Sequence, residues 1–332
     1  MANGTSTASS LSFSRETFAK LTPGPFLHAH LKAPNDIRPN GRRPKEFRTP
    51  TVNTGSLTHS NGSAVVRVGD TAIVCGVRAE ILFVSDIPHP PREDIHEDDV
   101  IEELGLLVPN LELSTGCSPA HLPGSAPGSQ AQSLSYRIQS LLNTSNIISS
   151  SDLLIIHHAS PTEDDISDEG PGTVVKAYWT LYIDILCIAL DGNAFDTAWA
   201  AVMAALRNTT LPKAWWDSDR EIILCSPLAT DAHRLHLRSM PVPCTFAVFS
   251  TGSPLKKRDE TETWIIADPD AFEEDLCKEA LTTVISGGSI GNGDIMRIEK
   301  NGGTAIGRVL LAECARLART KAAAWVATLN TA

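Results

Sequence analysis

The stretch YIDILCIALDGNAFDTAWAAVMAAL, from Tyr182 to Leu206, joins an apolar strand pattern to an alanine-rich helix pattern through Asp191-Gly192. This order of elements places backbone N–H groups and the positive end of the helix dipole at the junction. Many α/β proteins bind a phosphate at such a junction. The stretch therefore predicts the shape of a phosphate site, and its side chains decide whether the chemistry is present.

Those side chains oppose an anion. Asp191 and Asp196 bring two carboxylates to the first turn, and no arginine or lysine lies between Lys176 and Arg207. Asn193 is a favourable N-cap, and Asp196, three residues later, completes a pair resembling a capping box. We therefore expect a well-capped helix behind a buried strand, without a bound phosphate.

Composition is that of an ordinary globular protein. The 332 residues are 42% apolar and 20% charged, enough for one large or two modest domains. The seven cysteines show no C-x-x-C spacing, which predicts buried thiols in a reducing compartment rather than a zinc site. No apolar run reaches the roughly 18 residues of a membrane span, and the N-terminus lacks a signal-peptide pattern.

Charge is concentrated in two acidic runs. Residues 92–103 and 161–170 carry −6 and −5, which equals the net charge of −11, so the rest of the chain is close to neutral. We expect both runs in solvated, mobile loops. The absence of a basic excess disfavours a protein that binds RNA on its own.

Hydrophobic periodicity predicts two α+β halves, each giving several strands and then helices. A strand meander precedes residue 85, a long loop covers 85–128, and helices cover 129–148 and the opening stretch. After about residue 215 the pattern restarts and ends in a long helix from Thr304, the expected N-cap, to Asn330. We place a flexible segment with a short helix at 1–30 and domains at 31–214 and 215–332, with acidic insertions at 85–128 and 160–172.

Other chemical motifs are weak. The acidic residues Glu273, Glu274 and Asp275 are adjacent in sequence, so they cannot all face one Mg²⁺ or one pair of reacting atoms. His157 and His158 would point to opposite faces of a strand and cannot chelate a metal together. No nucleophile elbow, Walker A loop or H-E-x-x-H motif is present. We expect neither a metal nor a cofactor.

Two longer stretches resemble a known family. RPNGRRPKEFRTPTVNTGSLTHSNGSAVVRVGDTAIVCGVRAEI, residues 38–81, is similar to the opening of the RNase PH family, and the D-G stretch resembles its second hallmark. FAVF, WIIADPDAFEED and KNGGTAIGRVLLAECARLA resemble its C-terminal half, so the likeness covers about residues 30–325 outside the acidic insertions. It implies an α+β, RNase PH-type fold, with two mixed or antiparallel βαβα-like halves and helices packed on the sheets.

The departures from the family pattern concern catalysis. Active members carry Gly-Thr/Ser-Arg after the D-G, whereas this chain reads Gly192-Asn193-Ala194-Phe195. Active members also carry two aspartates about six residues apart, and here Asp275 falls near the first position while Leu281 falls at the second. Their arginine-rich helix is reduced to Arg137. The resemblance thus implies that phosphate binding and the acid pair are both lost, and each is worth several orders of magnitude in rate.

Among family members the chain is most similar to ring subunits of the eukaryotic RNA exosome. That resemblance implies a non-catalytic structural subunit in a six-membered ring of three RNase PH-like heterodimers. It further implies S1/KH-type cap proteins, a processive exoribonuclease, RNA in the central channel, and a location in the nucleus, nucleolus and cytoplasm. The basic arm residues Arg42, Arg43 and Arg48 could contact RNA or a neighbouring subunit, or pair with acids of this chain.

Two alternatives stay open at this point. One is an active phosphate-dependent 3′-to-5′ exoribonuclease with substituted site residues, which the arginine-free GNAFD turn argues against. The other is a free-standing RNA-binding protein, which the lack of a basic excess argues against.

Overall fold

The computed structural model describes residues 13–89, 96, 99–118, 121–122, 124, 126–158, 173–251, 262–286, 293–302 and 306–331. The predicted acidic insertion at 160–172 and the predicted N-cap Thr304 lie outside these residues. No helix in the described part of the chain is long and apolar enough to span a membrane.

Seven α-helices and fourteen strands are described. The helices are α1 Arg15–Leu21, α2 Pro23–Leu31, α3 Val100–Glu103, α4 Ser129–Thr144, α5 Ala194–Asn208, α6 Ala271–Leu276 and α7 Arg308–Thr331. The strands are β1 Pro50–Thr54, β2 Gly62–Val68, β3 Thr71–Phe83, β4 Leu107–Leu113, β5 Leu154–His158, β6 Thr173–Ala189, β7 Thr210–Leu211, β8 Ala214–Asp217, β9 Ile222–Cys225, β10 His233–Arg234, β11 Pro241–Ser250, β12 Thr263–Ala267, β13 Glu279–Ser286 and β14 Ile295–Asn301.

The first sheet is built around β6, a strand of 17 residues. One edge of β6 pairs with β3, which continues through β2 to β1, all antiparallel. The other edge pairs antiparallel with β5 near its start and parallel with β4 near its end. This sheet thus mixes both strand directions, as the α+β prediction requires.

The second sheet has the order β12-β11-β13-β14 and is antiparallel throughout. Two short pairs, β7 with β10 and β8 with β9, lie in sequence between the two large sheets. The predicted domain boundary at 214/215 falls in this intervening region, and the boundary itself stays a prediction.

Helix α5 lies at the centre, in contact with β2 and β3 of the first sheet and β11 of the second. Every residue from Ala194 to Leu206 is buried, so the helix has no solvent face. Its alanines permit close approach on both sides. Gly62 shows how close, because a Cβ there would lie 2.6 Å from the carbonyl oxygen of Ala205.

Five elements differ from the sequence-based expectation. The predicted loop 85–128 contains α3 and β4, since β4 gains its hydrogen bonds from β6, which lies far away in sequence. The segment after Pro23 is a full helix, α2, with proline tolerated in its first turn. A short helix, α6, covers Ala271–Leu276, to which no element was assigned from the sequence, and α7 begins at Arg308 rather than at residue 304.

Candidate functional site at the start of the central helix

The turn between β6 and α5 is held by a side chain of β3. The Thr71 hydroxyl donates to the carbonyl of Gly192 (2.9 Å) and accepts from the N–H of Asp191 (2.9 Å). Gly192 has φ +69°, and a Cβ on it would lie 2.4 Å from the carbonyl carbon of Asp270. Glycine is therefore required here twice over, and the start of α6 lies directly against the start of α5.

Asn193 stands at the N-cap of α5, but the prediction that its side chain caps the helix is wrong. The residue adopts a left-handed conformation (φ 49°, ψ 48°) instead of the extended one typical of a capping residue. Its Nδ2 group donates to Asp196 Oδ2 (3.0 Å) and to Asp268 Oδ1 (2.7 Å). The carboxamide thus donates to two buried carboxylates and does not accept a hydrogen bond from the first backbone N–H groups of α5.

One of those partners is a carboxylate from α6. The N–H of Asn193 donates to Glu274 Oε1 at 2.8 Å, at the position that favours an anion. Crowding of this carboxyl by protein, together with the charges of Asp196 and Asp268, raises the pKa of Glu274. Glu274 as a whole is exposed to solvent, which limits the rise of its pKa. A carboxylate of the chain itself therefore lies at the helix start, where the sequence predicted the shape of a phosphate site.

Asp196 is tied to the second sheet and to α7. It accepts from Lys321 Nζ (2.7 Å), from the N–H of Thr245 (2.9 Å) and from the Thr245 hydroxyl (2.7 Å). Burial alone would lower the pKa of Lys321, but the adjacent carboxylate outweighs burial and the pKa is raised. Sequence reasoning missed Lys321, because it lies 125 residues from its partner and no motif on the predicted last helix pointed to it.

The basic arm is held by Asp268, which is 1% exposed. Arg48 makes two hydrogen bonds to its carboxylate (both 2.9 Å) and a longer contact with Asp191 (3.4 Å), and Arg42 lies at 3.3 Å. Burial would raise the pKa of Asp268, but the Arg48 hydrogen bonds and the charges of Lys321 and Arg48 hold it well below its usual range. Two of the three arginines considered for RNA contact are thus paired inside the chain.

The other two arginines of the arm, Arg38 and Arg43, differ in their burial. Arg38 donates to Glu273 Oε2 at 2.9 Å, and both side chains are fully buried. Glu273 also completes a capping box with Asp270 at the start of α6. Arg43 is exposed, and its side chain has no hydrogen bond or ion pair with the residues that the structure describes. Of the predicted contact residues, only Arg43 is available to a partner.

Phe195, which the family resemblance aligns with an arginine, is 3% exposed. The guanidinium of Arg137 stacks 3.8 Å from the centre of its ring, and also bonds Glu299 (2.7 Å) and Thr282 (2.9 Å). Arg137, the one arginine left of the family's arginine-rich helix, therefore lies next to Phe195 at the start of α5. Its charge is already neutralised by Glu299.

The residues matched to the family's two aspartates do not come together. Asp275 is exposed on α6 and faces Glu16 and Lys20 of α1 across a surface pocket. Leu281 is 1% exposed within β13, opposite Phe246. The carboxylates that surround the start of α5 are instead Asp196, Asp268 and Glu274, and no sequence motif pointed to that set.

In the described part of the chain, no unpaired cation faces the start of α5. Three carboxylates face the helix start, and each nearby cation already has a carboxylate partner. Among the described residues, no group of three or more His, Cys, Asp or Glu side chains could hold a metal ion. The described contacts at the start of α5 are therefore ones that hold α5, α6, α7 and the second sheet together.

Comparison with known proteins agrees with this architecture. Residues 46–212 match the model of the 3′ exoribonuclease family, domain 1, RNase PH. The exosome complex component rrp43 of Schizosaccharomyces pombe is 36% identical, covering 94% of this chain and 96% of that protein, and the exosome complex component Rrp42 of Methanothermobacter thermautotrophicus is 29% identical over 81% of this chain and 80% of its own length. A solved structure described as the Archaeoglobus fulgidus exosome with RNA bound to the active site superposes with a TM-score of 0.61 at 23% identity, over 90% and 94% of the two chains. The RNase PH-type fold predicted from the sequence is confirmed.

Proposed function

Because the chain belongs to the RNase PH family of 3′ exoribonucleases, we propose that it is a non-catalytic ring subunit of an RNA exosome core. In this role it scaffolds the RNA channel and the nucleases that process or degrade rRNA, mRNA and other RNAs from the 3′ end. Likeness over almost the full length to an exosome component of fission yeast supports the assembly.

The lack of catalysis rests on one contact above all. Glu274 holds the N–H of Asn193, so a carboxylate stands where a catalytic relative would place phosphate. An incoming phosphate would have to displace Glu274 and then face Asp196 and Asp268 without a free guanidinium.

The proposed partners follow from the ring. They are other RNase PH-like subunits, one of them in a heterodimer within the hexamer, together with S1/KH-type cap proteins, a processive exoribonuclease and RNA in the assembled channel. We propose a location in the nucleus, including the nucleolus, and in the cytoplasm.

Purification of a tagged copy from its own cells tests the assembly. We expect a stoichiometric set of RNase PH-like and cap-domain proteins, identified by mass spectrometry. A chain that purifies alone or only with copies of itself contradicts the ring proposal and favours the free-standing alternative.

A second measurement tests catalysis. We expect the pure chain, given single-stranded RNA and inorganic phosphate, to release nucleoside diphosphates at the background rate. Phosphate-dependent release that Asp275→Ala abolishes would instead establish the active exoribonuclease, with the acid at the position matched to the family.

A further inference from the structure

A surface pocket of about 660 Å³ lies between α1 and α6, and we call it the α1–α6 pocket. Sites that bind a ligand usually have volumes of about 300–1,000 Å³. Each wall is one stripe of a helix, since residues three or four positions apart share a helix face. The stripes are Glu16, Ala19 and Lys20 on α1, and Phe272, Asp275 and Leu276 on α6.

The pocket has an apolar interior and a charged mouth. Ala19, Phe272 and Leu276 are half-buried, whereas the three charged side chains of the walls are exposed. The two apolar residues of α6 pack against the buried cluster beneath β11 and β12, and the ring of Phe272 lies 6.2 Å from that of Phe26. The interior is therefore fixed by the fold, and an apolar side chain that enters it leaves water.

Asp275 supplies the unneutralised charge at the mouth. Glu16 and Lys20 lie four residues apart on α1, a spacing at which opposite charges offset each other. Asp275 is exposed and makes no hydrogen bond or ion pair with any residue that the structure describes. An occupant with a cation opposite Asp275 is therefore favoured, and the phosphates of an RNA or a lipid are disfavoured.

Helix α1 leaves further apolar surface uncovered beside the pocket. None of its residues is buried, and Phe18 and Leu21 are 41% and 63% exposed. Its packing partner within the described chain is α2. A helix of seven residues is marginal on its own in water, so additional packing would stabilise it. A small molecule in the pocket leaves this surface exposed, whereas a polypeptide segment can cover it.

We propose that the α1–α6 pocket binds a segment of another protein. An apolar side chain of that segment enters between the two helices, and a neighbouring lysine or arginine pairs with Asp275. The inference goes beyond the proposed function, because it assigns a surface and a partner chemistry that membership of a ring leaves open. It is tested on the pure chain, so its outcome is independent of the ring proposal.

Peptide selection tests the predicted chemistry. A phage-displayed library of random short peptides is selected on the purified full chain and on its Asp275→Lys variant. We expect the wild type to enrich an apolar residue next to lysine or arginine, and Asp275→Lys to enrich an apolar residue next to aspartate or glutamate. Glu103→Lys, which makes the same charge change at an exposed residue of α3, should select as the wild type does.

Acidic peptides enriched by the wild type would overturn the proposal. So would an identical consensus for the wild type and Asp275→Lys, or no enrichment by either chain. The switch in charge preference is the decisive result, since general attraction of basic peptides to an acidic chain does not produce it.

Filling the pocket tests its location. Ala19→Arg places a long cationic side chain beside Asp275 without removing a packed group, and Ala29→Arg, exposed on α2, is the matched control. Fluorescence polarisation measures the affinity of the peptide selected on the wild type. We expect at least about a tenfold loss for Ala19→Arg and less than about twofold for Ala29→Arg. Equal affinities would place the peptide elsewhere and overturn the proposal.

Photo-crosslinking identifies the occupant in the chain's own cells. A photoreactive amino acid replaces Lys20, at the mouth of the pocket. We expect a crosslinked peptide of another protein that contains an apolar residue beside lysine or arginine, and its loss when Asp275→Lys is added. Crosslinks to RNA or lipid alone, to a protein segment without that pair of residues, or to nothing contradict the proposal.

Discussion

The two ends of α5 use positive charge in opposite ways. At its start, Arg48, Arg137 and Lys321 are each held by a carboxylate and shielded from solvent. At its end, Arg234 is exposed and has no partner among the described residues. The same residue types thus hold the fold together at one end and remain available at the other. Counting charges in the sequence does not distinguish these two uses.

Of the changes proposed here, removal of the Asp268 carboxylate at the start of α5 should lower stability most. Asp268→Ala leaves Arg42 without a carboxylate and Arg48 with only its longer contact to Asp191, and we expect a loss of about 4 kcal/mol in the free energy of unfolding. Denaturant unfolding of the purified chain measures it. Glu313→Ala, at a surface pair with Arg316, is the control and should cost less than about 1 kcal/mol. Similar losses in both variants would mean that the buried network does not stabilise the fold.

Lys321→Met should be nearly as damaging. It keeps the volume of the side chain but leaves the buried carboxylate of Asp196 unpaired, at a cost of about 3 kcal/mol. Adding Asp196→Asn should recover part of this loss, because the neutral amide needs no counter-ion. Lys45→Met, at an exposed pair, should have little effect. Strictly additive losses in the double variant would contradict the proposed pairing.

Close contact between α5 and α6 can be tested with two glycines that share a positive φ. Gly192→Ala places a Cβ against Asp270, whereas Gly105→Ala meets no atom within 4 Å. Both variants carry the conformational penalty of about 1–2 kcal/mol. We therefore expect Gly192→Ala to lower the midpoint of denaturation clearly further than Gly105→Ala. Equal shifts of the midpoint in both variants would show that α5 and α6 can move apart at Gly192 without a loss of stability.

The raised pKa of Glu274 should be detectable in the pH dependence of stability. Its pKa is raised in the folded protein, so the folded state binds a proton more tightly than the unfolded state. The resulting contribution to stability is complete below the unfolded value of about 4.3 and is lost as pH rises through the folded pKa. Glu274→Gln should remove this loss and flatten stability between pH 5 and 8. Asp275→Asn, for which solvent is the main surrounding, should leave the wild-type slope unchanged.

Removing the charge of Arg234, at the end of α5, should barely affect stability. Arg234→Gln breaks no contact with a described residue, and we expect a change within about 0.5 kcal/mol. Denaturant unfolding checks this beside the Asp268 variant. A large loss of stability would mean that Arg234 supports the fold. The positive charges at both ends of α5 would then have the same use.

Local patterns predicted the regular elements well. The β2–β3 hairpin, α4 and α5 each carry a periodicity and turn chemistry that act within a few residues. Strand β4 was missed because it contains Pro109 and lies in an acidic segment, while its pairing with β6 is set about 75 residues away. Local propensity yields to such tertiary contacts.

The candidate site was predicted only in outline. The lack of an arginine after Gly192 was visible in the sequence, and the structure buries Phe195, the residue that the resemblance aligns with the family's arginine. The replacement network was not visible, since Arg48 and Asp268 are 220 residues apart and Lys321 lies on the last helix. The expected cap by Asn193 failed because Asp268, brought close only by the fold, attracts its side chain.

The burial of α5 on all sides bears on synthesis of the chain. The helix is complete once residue 208 has been translated, yet β11, which covers one of its faces, ends only at Ser250. Proteins emerge at about 5–20 residues per second, so this apolar face stays uncovered for seconds on every nascent chain. A fragment that stops after α5 keeps it uncovered permanently, which makes the helix a point of aggregation in truncated products and a natural place for chaperones to act.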